Sequence, residues 1–592
     1  MTVPRTLLDV FLLWLESKPT PSLIDARGGA DRVLRAPEVA ARVAGLAKGL
    51  AALGVGKGDR VALVCGDRPE WHICDFGILH LGALSVPIYP TLLSEQAGAI
   101  LRDSGARVAI AENPELLEKV LRVRATCPAL EHVVLMDGEP PAGVRTFASC
   151  ITALNASDTA EFLAQCRTCI EPNDLATLIY TSGTTGEPKG VMLTHDNFVF
   201  DAYYSAGVMP WPGDDLALAF LPLSHVLERL VDYIYFMFGM RIAYCGILET
   251  GDAFRRLKPT LFTAVPRFFE KVHDRVLQEV AHGSRLKQMI FHAALKIGVQ
   301  SVREERRGLR YRLFDALVYR KVRGGLGGRV RFCISGGAPL PVFIGEFFHA
   351  VGVRVLEGYG LTETSPVITV NTFDRCKLGK VGPPIEGVEV KIASDGEILT
   401  RGRHVMLGYW NKPEDTAAVL DKDGWLATGD IGELDSDNFL RVTDRKKDIL
   451  VTAGGKNIAP QPVEDQLRHS ALVENAVLFG DRKPYVVALL VPNLEQLQLF
   501  AGARGIAQEN LDALLTHAEV VAAFQEVVDG VNQGLARFET IKKFRLIREP
   551  FTISGGELTP TLKVKRRVVE QRYTAMLATM YGEGGGETPH EL

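Results

Sequence analysis

The sequence predicts an α/β protein, and three observations carry that expectation. Over the first 170 residues, helical segments alternate with short apolar strands, the pattern of a largely parallel sheet covered by helices. Between residues 370 and 445, Gly, Asp and Pro recur every few residues between short apolar runs, as in antiparallel strands joined by tight turns. From about residue 446 mixed helix and strand return.

The elements follow in order. Residues 7–15, flanked by Pro4 and Glu16 and carrying Asp9, read as an amphipathic first helix and not as a secretory leader. Residues 39–53 have helical periodicity and stop at Gly54. Residues 60–65 form a strand, 70–81 a helix and 107–111 another strand. The glycines at 54, 56 and 58 precede a strand, whereas a dinucleotide fingerprint must follow one, so they read as a helix stop and turn. Short strands are expected at 388–392 and 397–400, a helix at 462–467 and a strand at 485–492. The last dozen residues, rich in Gly and Glu, are expected to be disordered.

Composition narrows the function. The 592 residues are 47% hydrophobic and 23% charged, with a net charge of −4, an ordinary globular profile that calls for no nucleic acid. No run of about 18 uncharged apolar residues exists, so no spanning helix is expected. Nine cysteines, an odd number, argue against a disulfide scaffold and fit a reducing, cytoplasmic setting. The single C-x-x-C at Cys166 and Cys169 has no second pair at zinc-ligand spacing and is read as coincidence.

Chemistry concentrates in Tyr180-Thr-Ser-Gly-Thr-Thr-Gly-Glu-Pro-Lys-Gly190. It follows an apolar strand at 176–179 and precedes a helix expected near His195. Thr181, Ser182, Gly183, Thr184, Thr185 and Gly186 are all small, which leaves backbone N–H groups uncovered. Such a loop can wrap a polyphosphate, with Lys189 adding a point charge. It lacks the Walker spacing.

This string resembles the phosphate loop of the AMP-forming acyl and aryl ligases, the family of acyl-CoA synthetases, firefly luciferase and adenylation domains. Five further stretches are similar to that family's motifs in the same order: Ser335-Gly-Gly-Ala338, Glu357-Gly-Tyr-Gly-Leu-Thr-Glu-Thr364, Gly424-Trp-Leu-Ala-Thr-Gly-Asp430, Asp444-Arg-Lys-Lys-Asp448 and Pro560-Thr-Leu-Lys563. The resemblance implies a large N-terminal domain (1–444) of stacked mixed sheets with helices and a small β-barrel-like part. A hinge (445–447) centred on Lys447 and a small mobile α+β C-terminal domain (448–592, with a disordered tail from about 580) would follow.

The resemblance also implies roles. ATP would be held by the loop residues and Lys189, by Gly336, Gly337 and Ala338 on the adenine side, and by Glu357, Gly358, Tyr359 and Gly360, with Tyr359 against adenine. Thr362 would donate to phosphate, while Asp430 and Arg445 would hold the ribose. Glu363 is a lone carboxylate that ATP would repel unless it binds Mg²⁺, which prefers oxygen ligands and substrate phosphates. The family gives it that role, with the Thr181 hydroxyl nearby. Lys563 would serve catalysis at the α-phosphate, although Leu562 replaces the usual preceding Gly and leaves Lys565 as an alternative. His225 is either a core histidine or a group at the acyl carboxylate.

Leu-Pro-Leu-Ser-His-Val-Leu-Glu-Arg229, Val265-Pro-Arg267 and the hinge and lysine motifs together resemble long-chain fatty acid–CoA ligases. The substrates would be a fatty acid, ATP and coenzyme A. A fatty acyl-AMP ligase serving a carrier protein is the alternative, and a non-catalytic nucleotide sensor is disfavoured by the retained Lys189, Glu363, Asp430 and Lys563. Residues 233–240 either line an alkyl tunnel or are ordinary core. Arg229 stands where some long-chain enzymes carry a gating Trp, so no gate is expected. Residues 267–331 hold 16 Lys/Arg and 6 Asp/Glu, a local net of +10. Leu286, Ile290, Ala293 and Ile297, and Leu309, Leu313 and Leu317, recur at helical steps and are expected to pack inward with cations outward. That face would contact anionic membrane peripherally, without insertion. Pairing into a homodimer is left open.

Overall fold

Two eight-stranded sheets dominate the N-terminal part of the computed structural model. It describes residues 3–182, 188–207, 209, 211, 214–304, 306–453, 456–507, 510–552, 555–559, 564–582 and 590–591, with only the backbone of Ser182, Asn457, His590 and Glu591. In the first sheet Arg60–Val64, Leu84–Ile88, Val108–Ala111, His132–Leu135 and Leu175–Ser182 run parallel. Pro188–Thr194 and Gly408–Tyr409 add antiparallel strands beyond Leu175–Ser182. In the second, Leu216–Ala219, Arg241–Tyr244, Leu261–Ala264, Phe332–Ser335 and Arg354–Tyr359 are parallel, and Thr369–Val370 closes one edge antiparallel. The alternation expected from the sequence therefore holds, with boundaries moved by up to three residues.

One apolar core joins the two sheets. Val61, Leu63 and Ile110 belong to it from the first sheet, and Ala217, Ile242, Leu261 and Phe332 from the second. Pro69–Leu79 and Val226–Met237 are helices of this layer, and every residue of both is buried. A helix buried on all sides suits a layer covered from both faces. The run expected as a possible tunnel lining is therefore core: Tyr233 packs edge-on against Phe198, and Phe236 against Trp14 and Phe76.

Burial here forces polar groups into pairs. Arg229 donates to Asp75 Oδ1 at 2.6 Å, to Thr177 Oγ1 at 2.8 Å and to the Tyr233 hydroxyl at 2.9 Å. Tyr233 donates in turn to Asp75 Oδ2 at 2.5 Å. Arg229 thus braces the layer instead of gating it.

The basic segment corrects the sequence reading. It folds as helices Pro266–Ala281, Arg285–Arg303, Leu309–Phe314 and Arg320–Gly324, the last two joined by the π-helical stretch Asp315–Tyr319. Phe291, Ala294, Gly298, Tyr311 and Tyr319 face inward. Leu286, Ile290, Leu309, Leu313 and Leu317 are instead exposed, Leu309 at 84%. Gly298 explains the choice of inward face, because a Cβ there would stand 2.8 Å from Ala350 Cβ. Close packing uses the small residues, which leaves the leucine stripe outside.

The chain divides into two compact units: residues 1–391, 399–428 and 434–441, and residues 392–398, 429–433 and 442–592. The second begins three residues before the expected hinge and takes in two earlier segments. Within it, Lys446 N–H donates to the Gly429 carbonyl, Gly429 N–H to Glu397 and the Lys446 ammonium to Glu397. Its sheet runs Val473–Phe479, Val486–Pro492, Ile541–Leu546, His590–Glu591. Helices Pro460–Arg468 and Ala518–Asn532 cover one face, and Arg566–Arg572 and Thr574–Met580 the other. The expected disordered tail is corrected in part. Tyr581 donates to the Phe479 carbonyl, and His590–Glu591 pairs antiparallel with Ile541–Leu546.

Candidate active site

The phosphate-loop motif lies between two paired strands, and the helix expected near His195 starts at that residue. Leu175–Ser182 pairs antiparallel with Pro188–Thr194. The register sets Thr181 opposite Lys189, so both side chains leave one face of the hairpin. Gly183, Thr184, Thr185 and Gly186 lie outside the described residues, as does Lys563. Gly190 is required where it stands, since a Cβ would meet the Tyr180 ring at 3.0 Å and Trp410 Cβ at 3.3 Å.

The other N-terminal motifs sit at the carboxyl ends of parallel strands in the second sheet, where ligands bind in open α/β sheets. Gly336, Gly337 and Ala338 follow Phe332–Ser335, and Thr362 and Glu363 form a 3₁₀ turn just beyond Arg354–Tyr359. Gly336 allows Leu227 to come close, as a Cβ would lie 2.9 Å from its Cδ2. Gly360 allows the chain to pass Pro366, whose carbonyl a Cβ would overlap at 1.5 Å. His225 caps the buried helix, its Nδ1 accepting the Leu227 N–H at 3.1 Å. It is half-buried, so it is not a sealed core histidine.

The Glu357 carboxylate is held by backbone donors. It is buried and accepts the N–H groups of Leu340 and Gly379. Burial pushes its carboxyl up to about 7. Gly358 and Tyr359 pair with Val370 and Thr369.

Two residues the sequence reading missed join the phosphate side. Tyr409 donates to Glu363 Oε1 at 2.8 Å, and Asp415 accepts from Lys189 Nζ at 2.6 Å. Lys189 Nζ also lies 5.1 Å from the centre of the Tyr409 ring. The Tyr409 hydroxyl is pushed upward first by burial and then by the Glu363 charge, so it stays a donor. The available signal was Gly408-Tyr-Trp followed by Pro413-Glu-Asp, an aromatic strand end running into a helix start with acids in its first turn.

In the second unit Asp430 and Arg445 come together, Arg445 Nε standing 3.4 Å from Asp430 Oδ1. Asp444 is buried, which pushes its carboxyl up to about 6, and it accepts the N–H groups of Arg445 and Gln461. Lys447 is exposed, next to Lys446, whose ammonium bridges Asp395 at 2.7 Å and Glu397 at 2.8 Å. Glu363 and Thr181 offer hard oxygen donors of the kind Mg²⁺ takes. Among the described residues no group of three or more His, Cys, Asp or Glu forms a metal cage. Two such donors would suit an ion that keeps phosphate and water ligands.

A hydroxyl- and glycine-rich hairpin with its own lysine, a carboxylate turn and strand-end loops define a nucleotide-using enzyme of the α/β class. Residues 20–410 match the model of the AMP-binding enzyme family and residues 447–584 that of the AMP-binding enzyme C-terminal domain. The chain belongs to the AMP-binding enzyme family. It is 38% identical over 558 residues to the long-chain-fatty-acid–CoA ligase FadD15 of Mycobacterium bovis, covering 92% of each chain. With long-chain-fatty-acid–CoA ligase 5 of Mus musculus the identity is 32% over 553 residues, covering 88% of this chain and 80% of that one. Among solved structures, the adenylation domain of a carboxylate reductase from Mycobacterium chelonae superposes with a TM-score of 0.74 at 24% identity. That match covers 98% of this chain and 91% of the other, and it shows the shared fold.

Proposed function

We propose that the chain joins a long-chain fatty acid to coenzyme A in two steps. The fatty acid carboxylate attacks the α-phosphate of ATP, giving acyl-AMP and releasing pyrophosphate. The thiol of coenzyme A, losing its proton, then attacks the acyl carbonyl, and AMP leaves. The observation that carries this reading is the hairpin register that sets Thr181 opposite Lys189, in a chain akin to FadD15 over 92% of its length.

Each residue has a task in the first step. Charge grows on the leaving pyrophosphate, so Lys189 and the loop N–H groups belong there. Glu363, with the Thr181 hydroxyl, would hold Mg²⁺, which when bound neutralises phosphate charge. Thr362 donates to phosphate, Tyr359 lies against adenine beside Gly336, Gly337 and Ala338, and His225 borders the acyl carboxylate. Asp430 accepts the ribose hydroxyls, oriented by Arg445. Lys563 supplies charge at the α-phosphate, and residues 445–447 are the hinge about which residues 448–592 turn between the steps. Fatty-acid-dependent ATP–pyrophosphate exchange without coenzyme A tests the first step. Exchange that Glu363→Gln leaves untouched would remove the metal role.

We infer a peripheral contact with anionic membrane through residues 267–331. Among the described residues no helix is long and apolar enough to cross a membrane. Leu286 and Met289 stand exposed beside the exposed Arg285 and Lys287, and Leu309 and Leu313 beside Arg310 and Arg312. Anionic lipid attracts each nearby cation by ~1 kcal/mol, and exposed leucines suit shallow burial among headgroups, not the insertion-free contact expected from sequence. Co-sedimentation should need anionic vesicles and weaken on Leu309→Ser with Leu313→Ser. Self-association into a dimer through this face, with no vesicle binding, would overturn the assignment.

A further inference from the structure

Residues 406–410 touch both halves of the phosphate side. Leu407 N–H donates to the Met192 carbonyl and Trp410 N–H to the Gly190 carbonyl, so Gly408–Tyr409 extends the sheet along the strand that leaves the phosphate loop. One residue earlier, Met406 N–H donates to the carbonyl of Glu363 at 2.9 Å. The segment therefore ties the loop's exit strand to the carboxylate turn through the backbone. Gly408 is part of this fit: its φ is 144°, and a Cβ there would stand only 2.7 Å from Thr416 Cγ2. Thr416 Oγ1 accepts the Tyr409 N–H at 2.9 Å.

The Tyr409 side chain then lies between two opposite charges. Its hydroxyl donates to Glu363, while its ring face carries the Lys189 ammonium. Lys189 is paired with Asp415, and the Tyr409 hydroxyl that Glu363 accepts from is a neutral donor. A neutral hydroxyl orients the carboxylate it donates to and adds no opposing charge of its own.

We propose that Tyr409 is a positioning residue for the first half-reaction. It aims the Glu363 carboxylate, through the hydrogen bond to Oε1, at the Mg²⁺ of that step. The inference rests on Glu363 as the magnesium carboxylate of the proposed function. It adds a residue that touches neither metal nor substrate and acts through Glu363 alone.

The experiment compares wild type, Tyr409→Phe, Glu363→Gln and the double variant. Calorimetry reads the binding of a non-hydrolysable ATP analogue at graded Mg²⁺, thermal unfolding reads stability, and pyrophosphate exchange reads activity. Tyr409→Phe keeps the ring and loses one hydrogen bond to a charged group. It should raise the Mg²⁺ needed for half-maximal binding by about tenfold, the scale of one such bond. Glu363→Gln should raise it at least as far, and adding Tyr409→Phe to it should change nothing more. An unshifted Mg²⁺ requirement in Tyr409→Phe, with a shift in Glu363→Gln, would overturn the inference and leave the Glu363 role standing. No shift in either variant would overturn the Glu363 role itself. Additive shifts, or a lowered unfolding temperature that accounts for the weaker binding, would make Tyr409 merely structural.

Discussion

The ammonium of Lys189 stands 2.6 Å from a carboxylate oxygen of Asp415, in the first turn of the helix Pro413–Val419. A phosphate arriving at Lys189 would compete with that carboxylate. The Asp415 side chain is 38% exposed, so the pair is partly screened and contributes ~1 kcal/mol or less. Asp415→Asn should therefore tighten binding of an ATP analogue by roughly two- to fivefold, read by calorimetry. Unchanged or weaker binding would show that Lys189 does not exchange partners.

Arg229 and Asp75 are both fully buried, and each is the other's charge partner. Removing one strands the other in the core, which costs about 3–5 kcal/mol. Arg229→Ala should lose that much in urea unfolding. Arg229→Leu with Asp75→Leu should lose clearly less than the two single changes added together. A loss under ~1 kcal/mol for Arg229→Ala would mean that the buried cation matters little.

Glu357 carries a pH signature. Its carboxyl is held at about 7, whereas in the unfolded chain it ionises near 4.5. Its stabilising contribution is complete below 4.5 and is lost as the pH rises through 7. Glu357→Gln has no such loss. Its unfolding temperature relative to wild type should rise between about pH 5 and pH 8, by on the order of 3 kcal/mol at most in stability. A pH-independent difference, accompanied by lost ATP binding, would return Glu357 to the nucleotide.

The two half-reactions separate the C-terminal residues. Lys563→Ala should lose pyrophosphate exchange by about 10²-fold or more while still converting supplied acyl-AMP and coenzyme A to thioester. Lys447→Pro fixes φ near roughly −65° and should do the reverse, forming adenylate but little thioester. Equal losses in both steps, for either variant, would count against its assignment.

What was legible in the sequence was local. Strand and helix periodicity placed most elements, and contiguous motifs marked the loop at residues 181–190 and the turn at Thr362 and Glu363. Side-chain facing was not legible where a helix is covered on both sides or carries two apolar stripes. Val226–Met237 is buried all round, so its aromatic run reads equally as tunnel or core. On Arg285–Arg303 the small residues Ala294 and Gly298 pack inward and Leu286 stays out, a choice made by the partner helix and not by hydrophobicity. Tyr409 and Asp415 escaped notice because they lie more than 200 residues from Lys189 in sequence and meet it only through strand pairing.

Product analysis with a panel of saturated fatty acids tests the proposed reaction most directly. Supplied with acid, ATP, Mg²⁺ and coenzyme A, the protein should form acyl-CoA, AMP and pyrophosphate in equal amounts. Its kcat/KM should rise from octanoate toward palmitate by up to roughly fourfold per methylene, the limit set by ~0.8 kcal/mol per buried CH₂. Acyl-AMP that accumulates without thioester, or a preference for short or aromatic acids, would contradict it.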